Sequence, residues 1–78
     1  MDTNKAARLT SEVFGGRATR DPDGKSIEHA AWMLQGIAMG YVQHEKAHRW
    51  LGYAQAIFVA EELLTLNDVK EINKSAGE

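Results

Sequence analysis

Apolar residues in this chain recur at three- and four-residue steps and nowhere alternate with polar ones over a strand's length. That periodicity predicts an all-α fold: a small helical bundle with a central helical hairpin and short helices at either end. A first helix is expected over residues 4–14, capped by Asp2 or Thr3, with Ala6, Leu9 and Val13 on one face. Gly15-Gly16 should stop it. Asp21-Pro22-Asp23-Gly24 reads as a type I turn, with proline pre-setting its second position and glycine closing it. Residues 15–25 are then an exposed loop carrying Arg17, Arg20 and Lys25.

Ser26 is a suitable cap for a second helix over about residues 27–40, with Glu28 placed where the helix dipole favours it. Its packing stripe is Ile27, Ala30 or Ala31, Leu34, Ile37 or Ala38, and Tyr41. Gly40 can end it in the left-handed conformation. A third helix is expected over about residues 45–64. No proline enforces the break, so one kinked helix over 27–64 is the alternative; the hairpin is preferred because such a rod would leave its apolar face bare. Thr65-Leu66-Asn67-Asp68 resembles a capping box for a last helix that turns Leu66, Val69 and Ile72 to the core. Residues 75–78 read as a frayed tail.

Size sharpens this picture. Seventy-eight residues make one domain, 1–78, and domains near this size bury only roughly 60% of their unfolded surface. Cysteine is absent, which excludes disulfides and thiolate metal sites and leaves helix packing, a non-thiolate metal or oligomerisation to supply stability. The apolar stretch at residues 32–42 is too short to cross a bilayer. Met1-Asp2-Thr3-Asn4-Lys5 lacks the order of a signal peptide. A cytoplasmic protein is the expectation. Net charge is −2, divided as +1 over residues 1–25, 0 over 26–59 and −3 over 60–78. No basic footprint for nucleic acid stands out, which favours a protein surface as partner.

Three segments carry candidate chemistry. His44-Glu45-Lys46-Ala47-His48 matches the His-Glu-x-x-His pattern of zinc hydrolases. Lys46 and Arg49 stand where those enzymes have uncharged residues, only Glu61 and Glu62 are close downstream candidates for a third ligand, and no strand is present to hold a peptide. Two solvated histidines are the preferred reading, with no catalytic residue, metal or cofactor expected. Gly36 and Gly40 form Gly-x-x-x-Gly, read as close packing of helices with Gly52 as the facing small residue, or with Gly40 as a simple C-cap. Between Trp50 and Ala60 only Gln55 is strongly polar. A helix apolar on all sides needs cover on all sides, so Trp50, Leu51, Gly52, Ile57 and Phe58, with Gly36 and Gly40, are assigned to core or dimer packing and a homodimer is expected. Arg49 and Tyr53, four apart, can stack on the helix surface. With Lys46 and the loop residues Arg17, Arg20 and Lys25 they form the expected partner-binding set, since Arg, Tyr and Trp dominate binding energy at interfaces.

Lys46-Ala47-His48-Arg49-Trp50-Leu51-Gly52-Tyr53-Ala54-Gln55, continued by Leu66-Asn67-Asp68-Val69-Lys70-Glu71-Ile72-Asn73, resembles a group of small phage and prophage accessory proteins. Their shared pattern is Lys-Ala-x-Arg-Trp-Leu-Gly-x-x-Gln followed by Leu-x-x-x-Lys-x-x-Asn, and the likeness covers about residues 29–73. Ala56 departs from it, because glycine often follows the glutamine. The resemblance implies a non-enzymatic phage-type protein that binds and inhibits a host protein complex in the bacterial cytoplasm, a CRISPR effector among the candidates. A dimeric nucleic-acid-binding phage regulator is the alternative.

Overall fold

The computed structural model describes residues 2–77. Four helices follow one another: α1 (Thr3–Ser11), α2 (Ile27–Ala38), α3 (His44–Ala60) and α4 (Leu66–Gly77), with no strand among the described residues. The hairpin of α2 and α3 is the centre of the molecule, α1 lies against both, and α4 packs on α1. α2 and α3 are separate helices.

Most local signals act as the sequence predicts. Asp2 caps α1 by accepting the Lys5 N–H, and Ser26 caps α2 by accepting the His29 N–H. Thr65 and Asp68 form a reciprocal capping box at the start of α4, at 2.9 and 3.0 Å. Gly24 N–H closes the turn onto the Asp21 carbonyl. Phe58, Leu34, Ile37 and Leu51 are the large, fully buried side chains. Ala6 and Ala7 of α1 join Ala30 and Ala31 of α2 in the same core; small side chains there let the helices lie close together.

Helix ends depart from expectation, each for a physical reason. α1 stops at Ser11, so Val13 falls outside the helical stripe and is exposed, and the buried face is Ala6, Ala7 and Thr10. Phe14 instead turns back to meet Phe58 edge-on at 6.1 Å. It lies over Gly16, where a Cβ would run into its ring.

α3 stops at Ala60, four residues early, in a Schellman motif: Glu62 N–H bonds the Val59 carbonyl and Leu63 N–H the Phe58 carbonyl. Glu62 takes the left-handed position usually given to glycine, with φ 63°. Leu66 is 73% exposed rather than in the core; Val69 and Ile72 pack against the core as expected, and Leu64 is buried. Residues 75–77 are helical, not frayed. Ala76 is buried and its carbonyl accepts the Asp2 N–H, tying the two ends of the described chain together. Glu78 of the expected tail lies outside the described residues.

The apolar stretch of α3 resolves in an unexpected way. Leu51 and Phe58 are buried, Trp50 and Ile57 are packed against the core, and the outward positions fall to Gly52, Tyr53, Ala56 and Ala60. Gln55, the polar exception, is only 5% exposed. Its amide exchanges hydrogen bonds with the Asn73 amide at 2.9 and 3.3 Å and donates to Thr10 Oγ1, whose hydroxyl donates to the Ala6 carbonyl. One polar network thus joins α1, α3 and α4, and among the described residues no buried side-chain polar atom lacks a partner.

Candidate binding ledge

The end of α2 shapes the surface beside it. Gly40 sits in the left-handed region at φ 82°, its N–H bonds the Ile37 carbonyl, and the Tyr41 N–H bonds the Gly36 carbonyl. This is a second Schellman motif, in which the residue after the glycine usually makes an apolar contact with the residue five positions earlier. Here that earlier residue is Gly36. It has no side chain to offer, and the space above it is taken by Val42 and Trp50. Tyr41 is therefore left out, 78% exposed, with Met39 beside it at 60%. The Gly-x-x-x-Gly spacing thus belongs to one helix cap. Gly52 does not face it, and a Cβ there would meet nothing within 4 Å.

Below Tyr41 lies a cleft of about 260 Å³ whose lining includes Trp32, Gln35, Met39, Val42 and Trp50. The two indoles meet at a tilt of 36° with centroids 5.7 Å apart, His29 meets Trp32 at 31° and 5.3 Å, Arg20 stands over Trp32 at 5.9 Å and Lys46 over Trp50 at 5.2 Å. Each cation–π contact contributes about 0.5–1 kcal/mol at exposed sites. The result is an aromatic ledge with a cation on either flank.

The loop before α2 is moored to this ledge. Thr19 N–H bonds the Glu28 carbonyl, Asp21 N–H donates to His29 Nδ1, and the Tyr53 hydroxyl donates to the Gly24 carbonyl at 2.6 Å. Because Nδ1 accepts, the imidazole proton sits on Nε2.

Of the six residues expected to bind a partner, Arg20 and Lys46 flank the Trp pair. Tyr53 holds the loop that carries Arg20 and Lys25, and Arg17, Lys25 and Arg49 are exposed. Among the described residues no cation–π contact joins Arg49 to Tyr53; the cations engage the indoles instead. Met39, Tyr41, Val42 and His29 are additions. The glycine pair was the signal for Tyr41, since a cap glycine four residues after another leaves the next side chain without its usual contact.

The His-Glu-x-x-His segment does not assemble a site. His44, Glu45 and His48 are exposed at the start of α3. Glu61 and Glu62 lie about 20 Å further along the helix axis from His48. No group of three His, Cys, Asp or Glu side chains capable of holding a metal occurs among the described residues. Among the described residues no helix is long and apolar enough to cross a membrane.

A larger groove, of about 510 Å³, runs between α1 and α4 and is edged by Glu12, Asp68 and Glu71. It has no aromatic residue, and Asp68 is committed to the helix cap. The ledge is the better-equipped surface. Comparison of the chain with protein-family models, with curated proteins and with solved structures finds no match.

Proposed function

We propose that this chain is a non-enzymatic, phage-type binding protein that attaches through its aromatic ledge to a host macromolecular complex in the bacterial cytoplasm and inhibits it, anti-CRISPR inhibition being one activity of this class. The supporting observation is Tyr41 and Met39 standing exposed over the Trp32–Trp50 pair, with Arg20 and Lys46 beside it. Aromatic residues, Met and Arg are the types enriched at the centres of protein interfaces. The resemblance of residues 46–55 and 66–73 to small phage proteins points to the same class.

The test is affinity capture from a bacterial host lysate with the parent protein and with Met39→Ala/Tyr41→Ala. A protein complex retained by the parent and lost by the variant is the expected result. Capture of DNA alone, or the same complex on both baits, contradicts the proposal.

Self-association belongs to this proposal as well. The open face of α3 presents Gly52 and Ala56, which with Leu66 line a shallow hollow of about 160 Å³, a seat for a side chain of a second copy. Light scattering is expected to give a dimer mass, and a monomer mass at high concentration removes this part.

A further inference from the structure

The chemistry of the ledge narrows the kind of partner, provided the ledge is the binding surface as proposed above. We infer that the cleft under Tyr41 receives one apolar side chain from an acidic segment of a partner protein.

Three features carry this. The first is size. At about 260 Å³ the cleft lies at the small end of the roughly 300–1,000 Å³ of ligand sites and has room for one apolar side chain presented by a larger molecule. Met39 at its edge is unbranched and exposed, so it can close around the guest.

Charge is the second. The described lining contains no ionised side chain, whereas Arg20 and Lys46 lie on its two flanks. A carboxylate on either side of the inserted residue meets a cation there and gains a charge-assisted hydrogen bond. Glu28 and Glu45 are exposed on the same helices but do not line the cleft.

The third feature separates protein from nucleic acid. Base binding needs an uncovered ring face to stack on. Trp32 already has His29, Trp50 and Arg20 against it, and Trp50 has Trp32 and Lys46. The ledge thus leaves one open ring, Tyr41, and two cations in a chain of net charge −2, which is a thin footprint for nucleic acid.

The experiment follows the Trp32 and Trp50 indole N–H signals and the Met39 methyl by NMR in the full chain. The probes are the synthetic peptides acetyl-Glu-Asp-Leu-Glu-Asp-amide, its Leu→Ser version and acetyl-Lys-Arg-Leu-Lys-Arg-amide, with a single-stranded oligonucleotide as a fourth. The acidic leucine peptide is expected to shift all three signals saturably, more weakly as salt rises, while the serine and basic peptides do not. Arg20→Gln/Lys46→Gln, whose fold the same spectra check, should weaken binding roughly fivefold or more. Arg20→Glu/Lys46→Glu should reverse the preference toward the basic peptide. Equal binding of the serine or basic peptide, shifts with the oligonucleotide alone, or no shift with millimolar acidic peptide overturns the inference. A host complex that survives both charge changes but is lost in Met39→Ala/Tyr41→Ala leaves the ledge as the binding surface and removes the acidic partner.

Discussion

The two halves of α3 have opposite characters. Its second half is sealed on its inner face: Phe58 is fully buried, and Gln55 is locked to Asn73 and Thr10 by hydrogen bonds that leave no unpaired polar atom, while only the small Ala56 and Ala60 face outward. Its first half is open: Lys46 and Trp50 lie on a ledge beside exposed Met39 and Tyr41. The segment from Lys46 to Gln55 runs through both. Ala47, Leu51, Gln55 and Asn73 hold the fold, whereas Lys46, Arg49 and Gly52 face outward. One short segment thus combines packing residues with residues free to make contacts.

The sealed half should give the largest effect on stability. Gln55→Ala strips partners from Asn73 and Thr10 and is expected to cost about 2–3 kcal/mol, lowering the thermal midpoint by roughly 10–20 °C. Gln55→Leu/Asn73→Leu should recover much of that loss, because removing both amides leaves neither unsatisfied. Additive losses measured by urea denaturation would show that the amide pair is not coupled.

Smaller effects are expected at the two Schellman caps. Gly40→Ala forces a side chain into the left-handed region and should cost about 1–2 kcal/mol. Glu62→Gly should do the reverse at the end of α3, adding about 0.5 kcal/mol as strain is relieved against a more flexible unfolded chain. Chemical denaturation of both variants checks the signs. Equal destabilisation by both would mean that Glu62 is not held left-handed in solution.

The same two caps explain which parts of the fold were legible in the sequence. Gly40 announced the end of α2 because glycine is the residue that favours a positive φ. Glu62 carries no such signature, so α3 was expected to run on to Leu64. Capping by Asp2, Ser26 and Thr65 was readable, since each rests on one side chain and its own backbone neighbours. Burial of Gln55 was not, because its partners lie 18 and 45 residues away in the chain, and no local pattern links them. For the ledge, the cations Arg20 and Lys46 and the two Trp residues were visible as types. Their packing depends on how α2, α3 and the loop come together, which periodicity does not encode.

The most direct test of this division is to measure thermal stability and host-complex capture together in Tyr41→Ala/Lys46→Glu and in Gln55→Leu/Asn73→Leu. The ledge variant should lose no more than about 1.5 kcal/mol of stability yet lose the complex, whereas the amide-pair variant should keep the complex for as long as it stays folded. A ledge variant that still holds the complex, or an amide-pair variant that loses it while folded, would contradict the account.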